Sequence, residues 1–137
     1  MPKTLLNPPG FPGATSAFSH GVKIDLNDAE IIFVTGQVAI DEQGNVLFAD
    51  SIAKQTEFVF ENIKKILAEG GALLDDIVKV TIYLTHLHAA TFAEVAAVRN
   101  RYLANAKAAS TLVGVAKLAK DACHVEIDAI AVKKKII

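Results

Sequence analysis

Apolar and polar positions along the chain fall into short alternating runs and two longer helical stripes. Residues 30–39 contain Ile31-Ile32-Phe33-Val34-Thr35, a β-rich run that predicts a strand. A shorter run at 19–26 precedes it, and Asn27-Asp28 supplies the turn, so the two read as a hairpin. The polar turn Asp41-Glu42-Gln43-Gly44-Asn45 leads into Val46-Leu47-Phe48, a short candidate strand. Over residues 51–69, Ile52, Thr56, Val59, Ile63 and Ile66/Leu67 recur at spacings of four and three and predict an amphipathic helix. Asp50 or Ser51 can cap its start, Gly70-Gly71 ends it, and Glu61 and Lys65 form an i,i+4 pair on its wet face. Phe58 lies off the stripe. Residues 77–85 alternate, with Val78, Val80, Ile82 and Leu84 on one face and Lys79, Thr81, Tyr83 and Thr85 on the other. Thr91 and Glu94 make a capping box for a second helix, whose stripe runs through Phe92, Val95, Val98 and Leu103. Residues 110–115 and 124–132 read as the last two strands.

The resulting order, β-β-(β)-α-β-α-β-β, predicts an α+β fold: a single sheet with both helices packed on one face. The other face keeps apolar residues that a small domain rarely leaves in water. A second copy of the chain is the simplest cover, so the pattern predicts a homo-oligomer. The first 17 residues hold all four prolines and two of the eight glycines. They read as an extended N-terminal arm (1–17) ahead of one domain (18–137).

Composition narrows the function classes. Apolar residues are 52% of the 137 and charged residues 21%, which excludes intrinsic disorder. The net charge of −1 gives no basic stripe, so a nucleic-acid partner is not expected. The one basic run, Lys133-Lys134-Lys135, reads as a solvated tail. A single cysteine, Cys123, excludes an internal disulfide and fits a reducing compartment. No apolar run approaches the ~18 residues of a membrane span, and residues 1–13 lack the apolar core of a secretory leader. The expectation is a soluble, cytoplasmic protein with no membrane partner.

Several residues are candidates for chemistry. Glu126 and Asp128 alternate with Val125, Ile127 and Ala129, and two acids on one strand face stand roughly 7 Å apart. They form either the wet face of an edge strand or a carboxylate pair in an interface cleft, able to orient or deprotonate a water. Ile130 and Val132 on the same face favour the cleft. His86 and His88 could pair on a metal, but no further His/Cys cluster has ligand spacing, so no metal is expected. Cys123 and His124 are adjacent in a strand and so point to opposite faces, which predicts a buried, inert thiol. Gly36, in Thr35-Gly36-Gln37, interrupts a strong strand and marks either a β-bulge or a close backbone approach to a ligand. Neither GxGxxG nor GxxxxGK[ST] occurs.

Three blocks carry a resemblance. IIFVTGQVAID, QTEFVFENIKKILAEGGALLDDIVKVTIYLT and STLVGVAKLAKDACHVEIDAIAV, in that order, resemble the Rid family (reactive intermediate deaminase, formerly YjgF, also labelled endoribonuclease L-PSP) from about Phe18 onward. The resemblance implies a chorismate-mutase-like, ferredoxin-like α+β sheet, a homotrimer, and a small-molecule cleft at each subunit interface. It also implies a cofactor-free activity: hydrolysis of reactive enamines and imines such as 2-aminoacrylate to 2-oxoacids and ammonia.

Carried over by position, the family's catalytic carboxylate is Glu126, and its substrate-binding positions are Phe18, Gly36, Ala109 and Thr111. Three of the family's groups are replaced here. Ala109 stands where an arginine grips the substrate carboxylate, and Phe18 stands where a tyrosine supplies a hydroxyl. Ala96 falls near an asparagine, beside a two-residue insertion at 88–90. The chain's two arginines, Arg99 and Arg101, lie on the second helix, and Lys107 cannot supply a planar fork. The chain therefore resembles a subgroup lacking the carboxylate-binding arginine. It reads as an imine or enamine deaminase of the 2-iminoacid or 2-aminomuconate type, or as a non-catalytic trimer that senses a metabolite at the same cleft. The ribonuclease label finds no basic groove to support it.

Overall fold

The computed structural model describes residues 3–13 and 17–135. Six strands form one sheet in the order β1-β2-β3-β6-β4-β5. They are β1 (Lys3–Leu6), β2 (Gly21–Asp25), β3 (Ala29–Gln37), β4 (Ile77–Leu84), β5 (Ala109–Gly114) and β6 (Val125–Lys134). Every neighbouring pair is antiparallel except β4 and β5. A parallel pair needs a crossover, and helix α2 (Ala89–Tyr102) supplies it. Helix α1 (Ile52–Glu69) links β3 to a short 3-10 turn (Leu74–Asp76) ahead of β4. The predicted α+β architecture with two helices on one sheet face is the observed one. Among the described residues, no helix is long and apolar enough to cross a membrane.

The period-2 pattern builds the core. Ile32 and Val34, Val80, Ile82 and Leu84, and Val125, Ile127, Ala129 and Ala131 all point to the helix side and are buried. Val59, Ile63 and Ile66 of α1 and Val95 and Val98 of α2 close over them. The Ser51 hydroxyl accepts from Lys54 N at 3.2 Å and caps α1. Gly70 ends the helix where space is short: a Cβ there would stand 2.7 Å from Ile32 Cδ1.

Several expectations are corrected. The arm is part of the sheet: β1 pairs with β2, Leu6 is 2% exposed, and Phe11 is buried. Pro8, Pro9, Pro12 and Gly10 follow β1, so Pro/Gly density marked the connection and hid the strand. Arm residues 1–2 and 14–16 lie outside the described residues. Val78 is 46% exposed, because the register of β4 on β6 slips between Ile77 and Lys79 and Ile77 takes the buried place. Helix α2 begins at Ala89, two residues before Thr91. The Thr91 hydroxyl accepts from His88 N at 3.1 Å and donates to the His86 carbonyl at 2.6 Å, so Glu94 is not its partner. Phe92 is then 45% exposed. Residues 46–48 make only one isolated bridge, Ile40 to Val46. Glu61 accepts from the Tyr102 hydroxyl at 2.8 Å instead of pairing with Lys65. Phe58, unplaced by the stripe, packs on Phe48 with ring centroids 6.4 Å apart.

The place of Leu6 predicts a measurable cost. Leu6→Ala should lower unfolding stability by about 2–5 kcal/mol, as for other fully buried leucines. A free arm would give no change, and chemical denaturation distinguishes the two.

Candidate functional site

The face opposite the helices carries both polar and apolar groups. Phe33, Val113 and Val132 are 42%, 38% and 39% exposed there. Between them run Lys79, Thr81 and Tyr83 of β4 and Glu126, Asp128 and Ile130 of β6.

Gly36 lies in a bulge. The β3–β6 register shifts between Val34 and Gln37, and the Thr35 carbonyl, left out of the ladder, accepts from Gln37 Nε2 at 3.0 Å. Asn62 of α1 in turn donates to Gln37 Oε1 at 3.4 Å. The Thr35 hydroxyl donates to the Ser19 carbonyl, tying the bulge to the segment that carries Phe18. A bulge here leaves no room for a side chain: a Cβ on Gly36 would collide with the Glu126 carboxylate and stand 3.0 Å from Glu126 Cδ. The bulge reading of Gly36 is the observed one, and the group its backbone approaches is the Glu126 side chain.

Glu126 sits half-buried against that backbone. Burial first, and the negative charge of Asp128 second, push its carboxyl above the ordinary carboxylate value. Asp128 accepts from the Tyr83 hydroxyl at 3.2 Å. Burial and the same aspartate raise the Tyr83 phenol, which keeps it a donor. The strand thus sets two acids of different character side by side: Asp128 hydrogen-bonded, Glu126 desolvated.

Phe18 flanks a cavity of about 290 Å³ bounded also by Pro12, His20, Gly36, Gln37 and Asn62. Its ring is 46% exposed and meets the His20 ring edge-on at 5.7 Å. His20 Nε2 donates to the Pro12 carbonyl at 3.0 Å. Phe18 and Gly36 thus bound one cavity, and Glu126 stands against Gly36 on the β3–β6 side. Ala109 and Thr111 form a second group on β5, two strand spacings (roughly 10 Å) from β6 and three (roughly 14 Å) from β3. A single chain does not bring the five candidate residues together.

The remaining candidates fall elsewhere. Arg101 pairs with Glu57 at 3.0 Å, and Arg99 bonds Asn100 and, at 3.4 Å, the Ser110 hydroxyl. Cys123 is buried, and burial pushes its thiol up. His124 turns away from it, with Nε2 at 3.0 Å from the Ala49 carbonyl. His86 faces the His124 ring at 5.6 Å. Among the described residues, no cluster of three or more His, Cys, Asp or Glu is placed to hold a metal.

One residue escaped the sequence reading. The parallel β4–β5 register sets Lys79 opposite Ala109, and Lys79 Nζ donates to Thr111 Oγ1 at 2.9 Å. Lys107, the lysine nearest Ala109 in sequence, is on the loop before β5. The alternation already put Lys79 on this face; only the pairing of β4 with β5 was missing.

Comparison with known proteins agrees with the fold. The endoribonuclease L-PSP family profile matches residues 11–133. A RutC family protein of Pyrococcus abyssi is 37% identical over 134 residues, covering 98% of this chain and all of the relative. Yeast protein HMF1 is 34% identical over 123 residues, 90% of this chain and 89% of that one. Among solved structures, yeast Mmf1 superposes with a TM-score of 0.83 at 32% identity, covering 97% of this chain and 100% of that chain. Escherichia coli TdcF with bound serine gives 0.78 at 28% identity over 95% and 98% of the two chains. With profile, sequence and fold in agreement over nearly the whole length, the chain belongs to the Rid, or endoribonuclease L-PSP, family.

Proposed function

We propose that three copies of this chain assemble through the uncovered sheet face, and that the β3–β6 group of one subunit meets the β5 group of the next to form a cleft for a small metabolite. The separation of the five site residues across one sheet supports this reading, as does the apolar area left on that face. The proposed activity is hydrolytic deamination of an imine or enamine, in a member lacking the arginine at position 109, with no cofactor, in the cytoplasm.

The observation that carries the chemistry is the Glu126 carboxyl, desolvated against the Gly36 backbone with its proton affinity raised. The Glu126 carboxyl first gives its proton to the enamine carbon, which leaves an iminium and a Glu126 carboxylate. Water then adds to the C=N carbon, giving one proton to that carboxylate. The proton passes on to nitrogen, the C–N bond breaks as the new hydroxyl returns its proton to Glu126, and ammonia and a 2-oxoacid leave with the carboxyl protonated again. A carboxyl with pKa nearer neutrality than usual suits both directions of transfer. The relative with bound serine supports a small carboxylate-bearing ligand for the cleft. Phe18 and Ala109 make it roomier and less polar.

The test is ammonia release from 2-aminoacrylate, generated in place by a serine dehydratase, and from 2-aminomuconate. Catalysed release from either supports the enzyme. Thermal stabilisation by a small carboxylate without turnover supports the sensing trimer instead.

A further inference from the structure

We propose that Lys79, with the Thr111 hydroxyl it orients, is the anion anchor of this chain, and that it selects small 2-oxo or 2-imino monocarboxylates. The inference rests on the reading that the uncovered face lines the ligand cleft.

Lys79 is half-buried on that face. Its ammonium donates to the Val80 carbonyl at 2.9 Å, to Thr111 Oγ1 at 2.9 Å and, more weakly, to Thr81 Oγ1 at 3.4 Å. The ion pairs of the described residues involve Lys23, Arg101, Lys117, Lys133 and Lys135, and none places a carboxylate within 4.0 Å of Lys79. A partly desolvated charge held only by neutral oxygens favours an arriving anion. The nearest acid across the ladder, Asp128 opposite Thr81, is engaged by the Tyr83 hydroxyl.

Thr111 completes the seat. Its oxygen accepts from the ammonium, so its own proton is free to donate, and among the described residues it has no acceptor. A carboxylate placed over β4 and β5 would receive the threonine O–H together with the ammonium N–H that otherwise makes the weak 3.4 Å bond to Thr81 Oγ1. Ala109 is the Cα partner of Lys79, and its methyl group leaves this approach open. An ammonium is a point charge and not a fork, so it holds one carboxylate oxygen and leaves the ligand's orientation to its other contacts. A neutral isostere gains nothing from it.

Pyruvate and methyl pyruvate, titrated into the intact protein and followed by ligand-observed NMR, test the assignment. Pyruvate should bind about tenfold more tightly than its ester, the value of one charged hydrogen bond. Lys79→Met should erase that difference by weakening pyruvate alone, and Lys79→Arg should restore it. Thr111→Val, which spares the charge, should weaken pyruvate and leave the ester unchanged; it keeps the proposal testable if Lys79→Met does not fold. Equal binding of acid and ester by the wild type, no pyruvate binding at all, or unchanged pyruvate affinity in Lys79→Met would overturn the proposal. Light scattering on the same samples separates the two readings. A trimer whose pyruvate affinity ignores Lys79 loses the anchor and keeps the cleft, whereas a monomer with Lys79-dependent binding loses the cleft and keeps the anchor.

Discussion

Ala109→Arg should raise turnover of 2-aminoacrylate by about 10- to 100-fold over a weak wild type, because a guanidinium at the start of β5 adds two parallel charged hydrogen bonds to the substrate carboxylate. The backbone there can accept the change. Ala109 is exposed, and its Cα partner Lys79 turns its ammonium toward Thr111. The gain should appear mainly in KM if the fork holds substrate and transition state alike. Ala109→Arg with Phe18→Tyr should exceed the single change, since a phenol at the rim of the cavity beside Gly36 returns a hydroxyl to a mostly apolar wall. Steady-state kinetics on all three proteins checks this. Strong wild-type turnover saturating at low substrate would show that another group already clamps the carboxylate firmly. No gain in either variant, with assembly intact, would mean a cleft shaped for a different ligand and would favour the sensing trimer.

Glu126→Gln should abolish deamination, a loss on the order of 10²- to 10⁴-fold, while the fold and assembly persist. The amide fills the same space against Gly36 but can take no proton from water. Its effect on stability should depend on pH. Burial and the Asp128 charge raise the wild-type carboxyl in the folded chain above its ordinary value of 4.5. The folded state therefore binds the proton more tightly than the unfolded state does. Wild-type stability is favoured at low pH and falls as pH rises from the ordinary carboxylate range through the folded value. The glutamine does not titrate, so the melting temperature of the variant relative to wild type should climb over that interval. The same raised value should bring the acid limb of the wild-type rate profile nearer to neutrality than an ordinary glutamate would. A variant that loses activity only in proportion to folded protein would make Glu126 structural.

Much of this was legible in the chain because period carries over directly into burial. The α1 stripe and the alternation in β6 each point to the side they occupy, and the acids at 126 and 128 land together on the uncovered face. The failures share a cause. Val78 and Thr91 are misplaced by a bulge and by a side chain that reaches back to two carbonyls, local events that do not alter composition. The strand at 3–6 was masked by the prolines that follow it, although Leu6 is buried in the core. Lys79 was placed on the correct face but not beside Ala109, because the register of a parallel pair is fixed by the crossover helix and not by either strand alone. Gly36 read as a bulge or as a close approach to a ligand; the structure has the bulge, and its backbone packs against the Glu126 carboxylate.

The central claim is that the two halves of the site meet only between subunits. The most direct measurement is the solution mass of the wild-type chain by light scattering at micromolar concentration. The account predicts a particle of about three times the 14.6 kDa chain mass. A stable monomer would leave Ala109 and Thr111 apart from Gly36 and Glu126 and would contradict it.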